Sequence, residues 1–452
     1  MTLIFQLIVI FLCLLMFRVN IKWKLPILLF SLAFFSSVTI SFIPYGSTFY
    51  IVPISFFFSE FFHFKKNLNT LKKSLVYKLI VLQIIATLIY YVNSPHYVGW
   101  FDQFLRLCVG TLISSYFILV YSYCSIQNRN AVKCLSKAVF YSALLLAIIG
   151  VVNYLFHRPV FLELISNNVL SSDVLPMDDN SVRFRVQSTY INPFDYGYMC
   201  LMLVFFALYL YQNKYMTRKK FLVIALSCLF GVLFCNCRTI LICMLLGMGV
   251  FVLTAYKGRT KFKNIVVIIS VLILAYAFVP VVQDKVNQSL TAFTDTGGQQ
   301  VSGSNLDMRA MQFARVLFHI QGHELFGRGV DYFGIDMGWL KYGNADETQD
   351  SDLAGLEGLY LSYLLERGIV GLSIWIFFNV TLIVYFIKRL KMNRNEASLG
   401  LTILTIYILF ANMTGELRSL APTLLFLGVL MKIIDSSSTN KTLKIETKDN
   451  GI

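Results

Sequence analysis

The sequence predicts an all-α fold, a polytopic bundle of transmembrane helices, on three observations. Of its 452 residues 57% are apolar and only 14% charged, where a soluble domain carries about 25% charged residues. Apolar runs long enough to cross hydrocarbon as a helix recur along the whole chain. The charged breaks between those runs alternate between rich and poor in Lys and Arg, as the positive-inside rule requires of loops on opposite membrane faces. Together these exclude a water-soluble globular enzyme.

Taken in order, the apolar runs place helices near 2–17, 25–43, 49–63, 75–92, 104–124, 136–156, 193–212, 221–236, 239–256, 264–283, 367–387, 397–412 and 420–434, about twelve to thirteen spans. The first run lacks a basic leader and a small-residue cleavage site and reads as a retained helix. The organisation that follows is N-terminal transmembrane helices over 1–156, an external loop over 157–192, central helices over 193–283, a long external loop over 284–357, C-terminal helices over 358–434 and a tail over 435–452.

The formal net charge is +15, and 26 of the 39 basic residues fall in one alternating set of breaks, including Lys65, Lys66, Lys72, Lys73, Lys388, Arg389 and the tail lysines. That set is therefore cytoplasmic, the N-terminus external and the C-terminus cytoplasmic. The excess charge is a topology signal that also touches membrane lipids, and nucleic acid is not implied. The nine cysteines lie in spans or short turns and none falls in the long external loops, so no disulfide framework is encoded, and Cys235-Asn-Cys237 reads as two small buried side chains.

The long external loop opens on a Gly, Gln and Ser-rich linker, Thr294 to Gly303, followed by Ser304-Asn-Leu-Asp307, which fits a capping box for a helix running to about Gln321 and ended by Gly322. The acidic run 346–352 reads as a solvated surface that could also meet sugar hydroxyls.

Basic residues on the external side run against the topology rule, so each needs a local reason. Arg183 and Arg185 precede Val186-Gln-Ser-Thr-Tyr-Ile-Asn-Pro-Phe-Asp195, Arg238 sits at a tight turn between two spans, and Arg309 lies in the first turn of the capped helix. Guanidinium forks bind phosphate oxygens two at a time and stay charged at any physiological pH, so arginines converging at the membrane face suit a lipid diphosphate.

Glu357, between Gly355 and Gly358, is placed to act as a general base in a cleft at the membrane surface. Glu366-Arg367 reads as a structural ion pair, and Glu416 and Arg418 share the last external turn. His319 and His323 have zinc-like spacing, but Gly322 interrupts the helix and no catalytic Glu accompanies them, so no metal is expected. Walker, dinucleotide-binding and nucleophile-elbow patterns are absent, and no cofactor is expected.

In this order the motifs resemble the bacterial O-antigen polymerase and ligase superfamily. Arg185-Val-Gln-Ser-Thr-Tyr-Ile-Asn-Pro193 resembles the family's segment ending in Asn-Pro before a span, and Cys237-Arg-Thr239 its Ser-Arg-Thr at a span start. The run from Ser304 to Arg309 and then His323-Glu-Leu-Phe-Gly-Arg-Gly329 resembles its external helix and His-Pro-x-x-Gly-x-Gly, with Glu324 where Pro is usual. Glu357-Gly-Leu-Tyr-Leu-Ser-Tyr-Leu-Leu-Glu-Arg-Gly-Ile-Val-Gly371 resembles the pattern that opens on His-Asn and ends in Glu-x-Gly-Ile-x-Gly, with Glu357 in place of the His.

The resemblance implies a membrane glycosyltransferase, a polymerase joining polyprenyl-diphosphate-linked oligosaccharide repeats into O-antigen or capsular polysaccharide by metal-independent, inverting transfer. Its donor and acceptor are both lipid-linked glycans, and a chain-length regulator is a candidate partner. On this reading Arg185, Arg238 and Arg309 hold the diphosphate, Tyr190, Asn192 and Tyr360 line the sugar cleft, and Glu357 is the base. Two alternatives stay open: a ligase moving finished glycan to a lipid or protein acceptor, and a flippase or transporter.

Overall fold

A computed structural model of the protein describes residues 2–40, 47–165, 184–278, 283, 287, 306–336, 353, 356–414 and 419–449. Arg183, Ser304, the linker 294–303, the acidic run 346–352, Glu416 and Arg418 lie outside the described residues. Every expected span falls on a helix, and no strand forms among the described residues.

The helices are α1 (Thr2–Arg18), α2 (Ile21–Phe34), α3 (Thr48–Lys72), α4 (Leu75–Val92), α5 (Trp100–Ser125), α6 (Arg129–Phe156), α7 (Val160–Ile165), α8 (Pro193–Gln212), α9 (Arg218–Phe234), α10 (Arg238–Ala255) and α11 (Gly258–Phe278). They are followed by α12 (Leu306–His319), α13 (Tyr332–Asp336), α14 (Leu359–Arg389), α15 (Arg394–Thr414) and α16 (Leu420–Asp449). Eight of them, α4, α5, α6, α8, α10, α14, α15 and the 420–437 part of α16, are each long and apolar enough to cross a membrane.

Their starts follow local chemistry: the side chains of Ser47, Ser74, Asn128, Asn192 and Thr217 each accept an amide hydrogen from the first turn that follows. The α8, α15 and α16 spans are buried nearly all round and form the centre of the bundle. Small residues let the backbones meet there: a Cβ on Gly428 of α16 would lie 2.1 Å from the Ser122 hydroxyl of α5.

Two expected spans differ. In the 25–43 run the described residues, which end at Ile40, are helical only to Phe34, because the chain turns through Ser36 and Ser37 and Thr39 bridges to Ser47. The 367–387 span begins earlier, at Leu359, and is interrupted at Gly368 by a non-helical φ of 63° and ψ of −163°.

In the N-terminal bundle Lys24 of α2 is buried against Glu60 of α3 and also donates to the Ser59 hydroxyl at 3.1 Å. Removing one partner of a buried pair leaves a charge facing a low-dielectric interior, at a cost of about 3–5 kcal/mol, whereas replacing both by apolar groups is often neutral. Lys24→Met is therefore expected to lower the thermal midpoint in detergent sharply, and adding Glu60→Met should restore most of it. A double variant no more stable than the single one would show that the pair carries no such role.

Candidate functional site

The segment 184–192 is pinned to the bundle at many points. The Val186 amide donates to the Phe234 carbonyl at 3.0 Å, and the Asn236 side chain donates to the Phe184 carbonyl at 2.8 Å. The chain beside Arg185 is thus laid along the turn that leads to Arg238, and both arginines are half-buried. Further along, the Thr189 hydroxyl donates to the Ala33 carbonyl at 3.0 Å, and the Asn153 side-chain Nδ2 donates to the Ser188 carbonyl at 3.1 Å.

Tyr190 and Asn192 are engaged by the protein itself. The buried Tyr190 hydroxyl donates to the Leu32 carbonyl at 3.1 Å, and burial holds it well above the ordinary phenol range. Beside its ring lies a cavity of about 20 Å³, room for about one water, shared with Asp195, Tyr198 and Ser419. The Asn192 side-chain oxygen accepts the Phe194 amide at 2.9 Å and so caps α8, with Pro193 in the first helical position.

Arg238 opens α10, which pairs antiparallel with α15. The Arg394 Nε donates to the Thr254 carbonyl at 2.7 Å, and Cys243 Sγ lies 3.8 Å from the Ile406 carbonyl. Continuing that register carries Arg238 to the level of Phe410 and Ala411, about one turn from Met413.

Met413 is where the third arginine arrives. Arg309, Gln312 and Val316 of α12, and Ile320 in the turn just after it, follow helical spacing along one face, and Gln312, Val316 and Ile320 are buried. Val316 and Ile320 pack on Leu361, Leu364 and Leu365 of α14. That packing delivers Arg309 to the start of α14, where its Nη2 donates to Glu357 Oε2 at 2.9 Å and to the Met413 carbonyl at 3.0 Å. The Glu357 amide in turn donates to the Gln312 side chain at 3.3 Å. Tyr360 lies half-buried one turn on, its ring against Gly358, which itself approaches the Asn412 carbonyl.

Of the residues singled out in the sequence, the structure therefore joins Arg309 and Glu357 directly. It also lays the Arg185 segment along the turn before Arg238, and brings Arg238 and Arg309 to the same end of α15.

The docking of the turn after α12 was not visible in the sequence. Gly327 and Gly329 let residues 323–331 lie against the break in α14: the Arg328 amide donates to the Leu365 carbonyl at 2.8 Å and the Gly329 amide to Glu366 at 3.1 Å. The Ile369 and Val370 amides reach back to the Glu324 and Leu325 carbonyls at 2.9 and 3.1 Å. Here glycine is required twice over. Gly327 and Gly368 have φ of +71° and +63°, and an added Cβ would lie 2.5 Å from the Arg367 nitrogen and 2.4 Å from the Leu325 oxygen respectively.

Glu366 and Arg367 do not form the expected ion pair with each other, because neighbouring positions on a helix point apart. The Glu366 carboxylate accepts the Phe333 amide at 3.4 Å. The Arg367 guanidinium is buried between the rings of Tyr363 and Tyr90, 4.4 and 4.9 Å from their centroids. Beside it the carboxyl of Asp331, which has a φ of +70°, lies 3.8 Å from Arg106. Burial raises the Asp331 carboxyl above its ordinary range, with Arg106 and Arg367 pulling against that shift. Arg106 opens an unusually long π-helical stretch of α5, Arg106–Tyr116. Only the Gly-x-Gly spacing in the sequence hinted at this arrangement.

Gly368→Ala forces a Cβ into a region of φ and ψ open essentially to glycine alone, at about 1–3 kcal/mol before any clash. The expected outcome is undocking of residues 323–331, seen as faster amide hydrogen exchange there and a lower thermal midpoint. Unchanged exchange in that segment would contradict the docking.

No curated protein matches the chain. Residues 221–376, about a third of it, match the family model described as O-Antigen ligase, in keeping with the resemblance to the O-antigen polymerase and ligase superfamily; that segment carries Arg238, Arg309, Glu357, Tyr360 and the docked turn, while Arg185, Tyr190 and Asn192 lie outside it.

Proposed function

We propose that the protein is a membrane glycosyltransferase that joins polyprenyl-diphosphate-linked oligosaccharide repeats into O-antigen or a capsular or exopolysaccharide. The observation that carries this reading is the meeting of a guanidinium and a carboxylate, Arg309 and Glu357, at the end of the bundle to which Arg185 and Arg238 also belong. That end carries the loops poor in Lys and Arg, which supports its being the external face, with the N-terminus external and the C-terminus cytoplasmic.

In the proposed reaction a hydroxyl of one lipid-linked repeat attacks the anomeric carbon of a growing chain. The bond from that carbon to the diphosphate oxygen breaks, and the leaving polyprenyl diphosphate takes the electron pair. A single displacement inverts configuration. Glu357 takes the proton of the attacking hydroxyl, and Arg185, Arg238 and Arg309 neutralise the charge developing on the diphosphate. Because the arginines supply that neutralisation, the activity is expected to persist in a chelator. Tyr190, Asn192 and Tyr360 border the sugar cleft, the first two by holding residues 184–192 in place.

Incubating the purified protein with a synthetic lipid-linked repeat should yield a ladder of products. Arg238→Ala and Arg309→Ala should each lower chain growth about a hundredfold or more, with protein level unchanged. Wild-type chain lengths in those variants would reject the assignment. The family description favours a second reading, in which the same site passes a finished glycan to a lipid or protein acceptor. Under that reading the repeat alone gives no ladder, and long chains remain on the carrier in a deletion strain.

A further inference from the structure

A second polar site lies at the far end of α14, which carries it about 45 Å from the start of that helix. Between the α3–α4 junction, the end of α14 and the middle of α16 opens a cavity of about 590 Å³, bordered by Lys73, Ser74, Tyr123, Lys388, Arg389 and Asp435. That volume is in the range that holds small ligands.

The charges around it are arranged in two tiers. Asp435 forms an ordered floor: the Tyr123 and Tyr385 hydroxyls donate to its two oxygens at 3.0 and 2.8 Å, and Arg389 lies 3.9 Å away. Arg389 stacks on Tyr385 at 5.5 Å and Lys432 on Tyr123 at 5.0 Å, so these cations are positioned by rings. Lys73 and Lys388 stand on the walls, and their ammonium groups make no hydrogen bond or ion pair to any group among the described residues. The positive-inside rule accounts for lysines at this end of the bundle. It does not ask that two of them flank an open hollow whose one carboxylate is already satisfied.

The cavity is continuous with an apolar track. Phe377, Val380, Val384 and Ile387 follow helical spacing on the outer face of α14, are 58%, 48%, 41% and 53% exposed, and include the cavity-lining Val384. A soluble phosphate has no use for such a track, whereas an acyl chain fits it.

The geometry points to a binding site for the phosphate headgroup of an anionic phospholipid, held by Lys73, Lys388 and Arg389 with one acyl chain along Phe377 to Ile387. On the proposed topology this lipid belongs to the cytoplasmic leaflet, and the site is separate from the one that holds Arg309 and Glu357.

The test uses the full-length protein in neutral detergent, titrated with a short-chain phosphatidylglycerol. Saturable binding is expected, with phosphatidylcholine of the same chain length at least about tenfold weaker and an equal concentration of inorganic phosphate unable to displace the lipid. The double variant K73Q/K388Q should weaken binding about thirtyfold, from the worth of each lysine near an anionic headgroup. Thr381→Phe projects a ring into the cavity with every charge kept and should weaken binding severalfold. Equal affinity for phosphatidylcholine, displacement by inorganic phosphate, or unchanged affinity in both variants would each overturn the assignment.

Discussion

The break in α14 at Gly368 is the constraint on which the candidate site rests. An interrupted helix leaves amides and carbonyls without intrahelical partners, and where water is excluded each unmatched group costs several kcal/mol. The turn after α12 supplies the partners, through four main-chain hydrogen bonds between residues 324–329 and 365–370. Because that turn follows α12 directly, satisfying the break also lays α12 along the first half of α14. Val316 and Ile320 then pack on Leu361, Leu364 and Leu365, and Arg309 arrives over Glu357. The catalytic geometry proposed here is thus a by-product of backbone satisfaction one helix-half away.

The same docking gathers a polar network from the α4–α5 connection and the start of α5. The Gln103 side chain donates to the Val330 carbonyl at 2.9 Å, the Val330 amide donates to Ser94 at 3.1 Å, and the Tyr97 hydroxyl donates to the Arg328 carbonyl at 2.7 Å. Burying Arg367 and Asp331 beside these contacts is costly, and the cost is offset by the Tyr90 and Tyr363 ring faces and by the attraction of Arg106 and Arg367 for one carboxylate. The Tyr116 hydroxyl, 3.2 Å from that of Tyr363, ties the π-helical stretch of α5 into the same network. One end of the bundle is therefore held by interlocked polar groups, while cations dominate the surface of the other.

The helices were legible because hydropathy alone demands them: α4 and α8 coincide with the expected 75–92 and 193–212. Hydropathy fails where apolar residues are buried in a turn, as beyond Phe34, and where a helix carries charged residues inside the bundle, as at Glu366 and the buried Arg367 beside the break at Gly368. The four arginine and carboxylate positions were legible as exceptions to the positive-inside rule or as glycine-flanked acids. Their juxtaposition was not, since Arg309 and Glu357 are brought together by packing between two helices with a long loop between them. Asn192 shows the converse: Asn-Pro before an apolar run is a helix-start signal, and helix capping is the contact its side chain makes. Glu366 and Arg367 looked like a pair only because sequence adjacency says nothing about direction around a helix.

In the resting structure Arg309 is paired with Glu357, so the proposed reaction requires an exchange. The two side chains are 24% and 37% exposed, and an ion pair so open to water contributes about 1 kcal/mol or less. A diphosphate offers the guanidinium a doubly charged partner with more acceptor oxygens, and hydrogen bonds to charged groups are worth about 1.5–3 kcal/mol. Exchange toward the donor is then downhill. It frees the Glu357 carboxylate only when a leaving group is in place, beside the position an attacking hydroxyl must occupy. Main-chain contacts hold both partners near through the exchange, Arg309 at the Met413 carbonyl and Glu357 at Gln312. In the proposed reaction the carboxylate is therefore released by the binding of its own donor, which gives the Arg309 and Glu357 pair a role before the substrate arrives as well as after.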